Sequence, residues 1–226
     1  MLIRRVHGLD AAGQVRGPAI VIDTFRAFTT AAFLLDAGVD RLLLATELDE
    51  ARALAHDLDA VLCGEDGGRR PDDFDLGNAP GEVRAAGHRV RGRTVVMRST
   101  AGTRCLVGAH RAGARPLWAA SLVVVSATAR AVADNARLTI VSAGRSGVEP
   151  APEDDVTGDL IVARLEGRPI DPRAVAELRD AVTARRLATA DWAHPDDLDL
   201  CLDVDRFPFA MEARSGDGTI ELVAVR

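Results

Sequence analysis

The chain has 226 residues, 47% of them apolar and 27% charged, with a net charge of −6. That length supports a well-buried core, and the acidic balance excludes a surface built to coat nucleic acid. No apolar run approaches the roughly 20 residues of a membrane span. The start, Met1 to Arg5, leads into no signal-type run, so a cytoplasmic protein with no membrane partner is expected. Cys63, Cys105 and Cys201 are far apart and odd in number, which argues against a disulfide framework or paired zinc spacing. Every basic residue is an arginine. The absence of lysine removes Schiff-base chemistry and the phosphate-loop lysine. No G-x-S-x-G elbow and no H-E-x-x-H pair is present.

In chain order, Pro18 to Asp23 reads as a buried strand and Phe25 to Asp36 as the helix after it, closed by Gly38. Arg41 to Ala45 is the next strand. Thr46 is placed to cap a helix beginning at Glu47, with Leu48, Ala51, Leu54, Ala55 and Leu58 on one face. Ala60 to Cys63 is a third strand, and residues 64–80 form a long loop rich in Gly, Asp and Pro. Arg93 to Arg98 is a strand, followed by a helix over Ala101 to Gly113. Pro116 to Ala120 and Leu138 to Ala143 are strands with a helix from Val123 to Asn135 between them. Helices follow at Glu153 to Leu165 and at Pro172 to Leu187, the second capped by Asp171. Phe209 to Arg214 and Thr219 to Val225 read as strands joined by a hairpin turn over Ser215 to Gly218. This alternation predicts an α/β fold, a three-layer α/β/α sandwich around a mixed, largely parallel sheet. With no linker-like shift in composition, residues 1–226 are expected to form a single domain.

Ligands of such sheets gather beyond the carboxyl ends of the strands. The polar residues there are Asp23 and Arg26; Glu65 and Asp66; Asp72, Asp73, Asp75 and Asn78; the run Arg98 to Arg104; Ser142, Gly144 and Arg145; then Glu153, Asp154 and Asp155. Carboxylates with water suit Mg²⁺. Arginines and a helix N-terminus opened by Gly102 suit a phosphate. Together they point to phosphoryl chemistry on a small anionic substrate. The plainer reading of single residues is helix capping for Asp23 and Thr100 and surface ion pairing for Arg98 and Arg145.

Five ordered segments carry a family resemblance: Ile22-Asp23-Thr24-Phe25-Arg26-Ala27-Phe28-Thr29-Thr30, Cys63-Gly64-Glu65, Phe74-Asp75-Leu76-Gly77-Asn78-Ala79-Pro80, Ser99-Thr100-Ala101-Gly102-Thr103-Arg104, and Val141 to Gly144 with Glu153-Asp154. They resemble the motifs of the 2-phosphosulfolactate phosphatase (ComB-like) family. The resemblance implies Mg²⁺-dependent hydrolysis of a small phosphate monoester. Ala101 stands where the family has Asn, Asp66 where it has Arg, Asp73 where it has Gly and Phe28 where it has Thr. These departures favour a less charged ester than the phospho-sulfonate, or, as the alternative, a non-catalytic anion-binding homologue.

Under this reading Asp23, Glu65 and Asp75 hold Mg²⁺, with nucleophilic attack by Asp23 as an open alternative. Arg26, Thr100, Thr103, Arg104 and the backbone N–H groups of that turn act on the phosphate. Asn78, Ser99, Gly102, Glu153 and Asp154 complete the substrate site. The oligomeric state is left open.

Overall fold

The computed structural model describes residues 1–226. Ten strands form one mixed, mostly parallel sheet flanked by helices. In chain order the elements are β1 (Leu2–His7), α1 (Gly8–Ala12), β2 (Ala19–Ile22), α2 (Ala27–Asp36), β3 (Arg41–Ala45), α3 (Leu48–Leu58), β4 (Val61–Gly64) and β5 (Leu76–Gly77). Then come α4 (Pro80–Val90), β6 (Thr94–Arg98), α5 (Gly102–Ala112), β7 (Leu117–Ala120) and, after a 3-10 turn, α6 (Val125–Val132). The chain closes with β8 (Arg137–Ser142), α7 (Pro152–Leu165), α8 (Pro172–Leu178), α9 (Val182–Thr189), α10 (Asp197–Cys201), β9 (Ala210–Gly216) and β10 (Thr219–Val225). No helix is long and apolar enough to cross a membrane.

The spatial order is β1-β8-β2-β7-β9-β10-β3-β6-β4-β5. Two parallel groups, β1-β8-β2-β7 and β3-β6-β4-β5, are joined by the C-terminal hairpin β9–β10, which pairs antiparallel with β7 on one side and β3 on the other. Its turn is only Asp217-Gly218, both at positive φ, the backbone that a two-residue hairpin turn needs and that Asp-Gly favours. Helices cover both faces. On β3, Leu42 and Leu44 enter the main core, while Leu43 and Ala45 enter a smaller cluster with Ala51 and Ala55 of α3. That split follows from the period-two alternation of strand side chains. Helix α5 packs on β2 and β7 of one group and on β3 and β6 of the other, so its N-terminus carries the end of β6 toward the end of β2.

The sequence reading needs several corrections. α3 is capped by Glu47, in a reciprocal capping box with Glu50, because the Thr46 hydroxyl and N–H both donate to Glu50. Leu58 is exposed. The expected helix from Pro172 to Leu187 is two helices, broken where Ala181 adopts an extended conformation; its Asp171 cap forms as expected. β1, α1, α4 and α10 had no counterpart in the sequence reading, and the loop over 64–80 contains the short strand β5.

Candidate active site

A cavity of about 140 Å³ opens beyond the ends of β2, β4, β6 and β8 and is closed on its far side by α9 and Trp192. Four carboxylates line it: Asp23, Glu65, Glu153 and Asp154, each no more than 8% exposed. Three arginines, Arg26, Arg145 and Arg186, line it too.

Asp23 follows β2 directly. Its Oδ1 accepts the Ala27 N–H at 3.0 Å, and the Gly102 backbone lies beside its Oδ2. A Cβ on Gly102 would lie 2.6 Å from Asp23 Oδ2 and 2.9 Å from both Asp23 Cβ and Ala27 Cβ. Gly102 is therefore the contact that lets α5 reach Asp23. The turn before α5 serves Glu65: the Thr100 N–H and hydroxyl donate to Glu65, as does the Gly68 N–H at 2.6 Å. Glu65 itself follows Gly64, where φ is +151° and a Cβ would lie 2.0 Å from the Arg98 carbonyl oxygen. Asp154 accepts the Thr24 and Gly144 N–H groups, each at 2.9 Å, and Glu153 Oε2 accepts the Thr183 hydroxyl at 2.7 Å.

Burial and like charge disfavour ionisation of Asp23, Glu153 and Asp154. Desolvation, with the charges of Glu65 and Glu153, pushes Asp23 up to about 7. Desolvation and the charges of Asp23 and Glu153 raise Asp154 well above the usual carboxylate range. Glu153 is raised by desolvation and by Asp155.

Arg26 is buried, yet much of it points away from the acids. Nη1 donates to Asp197 at 2.8 Å, Nη2 donates to the Gly68 carbonyl at 3.1 Å, and the guanidinium lies 4.6 Å from the centre of the Trp192 ring. Two of its five N–H donors are used in these bonds, which leaves three. Asn78 lines the same cavity with a buried Oδ1 that has no partner.

Asp23, Arg26, Glu65, Asn78, Thr100, Glu153 and Asp154 thus converge. Other predicted site residues do not reach the cavity. Thr103 and Ser99 bond to one another, the Thr103 N–H donating to Ser99 Oγ and the Ser99 N–H to Thr103 Oγ1. Arg104 turns to Glu47 at 3.7 Å. Asp75 accepts the Leu62 N–H at 2.9 Å on the β4 edge. Of the expected phosphate cradle, the Thr100 N–H is committed to Glu65 and the Thr103 N–H to Ser99 Oγ, while Ala101 lines the cavity. Three of the four departures from the family pattern also fall outside the cavity: Asp66 pairs with Arg98 at 3.0 Å, Asp73 pairs with Arg52, and Phe28 is in the core. Ala101 alone lines the cavity. The sequence reading missed Thr183, Arg186, Trp192 and Asp197, which follow no strand.

The resemblance implies Mg²⁺. No three His, Cys, Asp or Glu side chains are grouped to enclose a metal ion, which removes the trio of Asp23, Glu65 and Asp75. Mg²⁺ binds through one or two carboxylates with water and substrate phosphate completing its shell. Asp23 and Glu65, two buried carboxylates lining one cavity, match that donor requirement in number and chemistry.

The fold and this cavity define an α/β protein with an acid- and arginine-lined site beyond the carboxyl ends of its parallel strands. A family model described as 2-phosphosulpholactate phosphatase matches residues 5–216. Among curated relatives, a probable 2-phosphosulfolactate phosphatase of Thermus thermophilus is 37% identical over 182 residues, 80% of this chain and 72% of that protein. One of the same name from Deinococcus radiodurans is 45% identical over 57% of this chain and 54% of its own length. Another, from Prochlorococcus marinus strain MIT 9303, is 32% identical over 81% of this chain and 74% of its own. The chain belongs to the 2-phosphosulpholactate phosphatase family.

Two outcomes follow from this geometry. Gly102→Ala forces α5 away from Asp23, so it lowers stability by about 1–3 kcal/mol in a denaturant titration; wild-type stability in that variant contradicts the close approach. The second concerns pH. Between the ordinary aspartate value of 3.8 and about 7, folded Asp23 keeps a proton that the unfolded chain has released. Stability without added divalent cation therefore falls as pH rises through that window and levels off above it. Asp154 and Glu153 act in the same direction. Urea midpoints measured across this range should show the fall, with a shallower slope in Asp23→Asn; a rise through the window would refute the assignment.

Proposed function

We propose that this chain hydrolyses 2-phosphosulfolactate to sulfolactate and phosphate with Mg²⁺. One observation supports this most directly: a small cavity combines four buried carboxylates with a buried arginine that has free donors. Phosphate monoesters hydrolyse extremely slowly without a catalyst, and neutralising the transferring group is the main task. Asp23 and Glu65 would hold Mg²⁺, which when bound draws charge from a phosphate oxygen and lowers the pKa of water.

The chain's own residues do the rest. Arg26 directs its three remaining N–H donors at the phosphate oxygens. Glu65, fixed by Thr100 and Gly68, keeps the acid side of the cavity rigid. Glu153 has one oxygen tied to Thr183 and is raised by burial, so near neutrality it holds a proton for the leaving alkoxide more readily than an ordinary glutamate. Asp154 has both oxygens tied to backbone N–H groups and serves to fix the turns after β2 and β8. Arg186 lines the cavity, where it would supply positive charge for the sulfonate or carboxylate; Arg145 lines it too but is paired with Glu149. Because Asp66 faces Arg98 rather than the cavity, the charge argument for a less anionic ester loses one of its two supports.

The test is phosphate release from 2-phosphosulfolactate with and without MgCl2. Mg²⁺-dependent release, lost by about 100-fold or more in Asp23→Asn, is expected. Phosphate binding without turnover would favour the anion-binding alternative. For Glu153, the expected pattern is selective. Glu153→Gln lowers kcat for the alkyl ester by about 10²- to 10⁴-fold and has less effect on an aryl phosphate whose phenol leaves unassisted. Equal losses on both esters would remove the proton-donor role.

A further inference from the structure

We propose that Asp197, with Trp192, is a positioning residue that holds the Arg26 guanidinium in register for the phosphate. This rests on the phosphatase reading of the cavity and deepens it. A long, flexible guanidinium lining a cavity that contains Asp23, Glu65, Glu153 and Asp154 has carboxylates on several sides. Unrestrained, it would fold onto one of them and neutralise the group that the site needs free. The structure shows instead that its bonding is directed outward. Asp197 is fully buried at the start of α10, and its Oδ2 accepts Arg26 Nη1 at 2.8 Å.

Asp197 is itself rigid. Its Oδ1 accepts the Gly81 N–H at 3.0 Å from α4, and its Oδ2 also accepts the His194 N–H at 3.1 Å. Three segments distant in sequence therefore meet on one carboxylate. Trp192 closes the exposed face of the guanidinium at 4.6 Å, and the Gly68 carbonyl takes Nη2. The guanidinium is thus bonded through Nη1 and Nη2 and stacked on one face, and its remaining N–H groups have no protein acceptor, in a side chain that lines the cavity. Asp197 does not line the cavity, and Arg26 is the one cavity-lining side chain it bonds; its other two bonds are to the Gly81 and His194 backbone.

The test is a double-mutant cycle with Asp197→Asn, Arg26→Gln and the combined variant, read as kcat and KM for 2-phosphosulfolactate and as affinity for inorganic phosphate. Asp197→Asn keeps the shape but loses the charge, and misplacement of Arg26 lowers kcat by about 100-fold and weakens the binding of inorganic phosphate by about 10-fold. In the Arg26→Gln background the same change adds almost nothing, because there is no guanidinium left to position. Trp192→Leu, at a half-buried site where refolding is not at stake, repeats the pattern more weakly. An equal loss from Asp197→Asn in both backgrounds would overturn the proposal, since a purely structural role adds. If Arg26→Gln alone leaves turnover and phosphate affinity intact, the phosphate role of Arg26 fails, and this proposal fails with it. If wild-type turnover is absent, the phosphate-affinity cycle decides the positioning claim separately from the activity.

Discussion

The site depends on one close approach, that of the α5 N-terminus to Asp23. Gly102 has no Cβ to separate them; one there would lie 2.6 Å from Asp23 Oδ2. This contact joins the end of β2 to the end of β6, strands that lie in different parallel groups of the sheet. The C-terminal hairpin supplies the ladder between those groups, and α5 spans them on one face. Without Gly102, Asp23 and Glu65 would belong to separate halves of the molecule. With it, the turn from Ser99 to Gly102 touches both.

That arrangement gathers negative charge in a place with little water. A carboxylate there gains from N–H donors but loses hydration and faces like charge. The balance differs from residue to residue. Asp23 accepts the Ala27 N–H and is still raised to about 7, by desolvation first and then by Glu65 and Glu153. Asp154 accepts two backbone N–H groups and is raised well above the usual carboxylate range, again by desolvation first and then by Asp23 and Glu153. The site is thus poised to take up positive charge, as a cation or as protons. Two buried cations adjoin the acids: Arg98, which pairs with Asp66 and donates to the Glu65 carbonyl, and Arg26, which pairs with Asp197 outside the cavity.

Much of this was legible in the sequence, for identifiable reasons. β2, β3, β6 and β7 are short apolar runs buried on both faces, so continuous apolarity marked them. β1 carries Arg4, Arg5 and His7 at the sheet edge, and α4 offers the core little beyond Val83 and Val90; neither has a strong pattern. Asp23, Glu65, Glu153 and Asp154 were found because polar residues after buried strands tend to face a crevice. The same rule placed Thr103, Ser99, Arg104 and Asp75 in the site, and it could not tell that their partners are a neighbouring hydroxyl, Glu47 and the Leu62 N–H. Trp192, Arg186 and Asp197 were invisible to it, since they come from the 182–197 region, which packs onto the cavity only in three dimensions.

The central claim is that Asp23 is a buried carboxylate whose charge awaits a cation. The direct measurement is a carboxyl ¹³C NMR titration of Asp23, assigned by comparison with Asp23→Asn, without and with MgCl2. The account predicts a titration near pH 7 without the metal and a move down toward the usual carboxylate range when Mg²⁺ is present. Titration in the ordinary range without metal, or a midpoint that Mg²⁺ leaves in place, would contradict it.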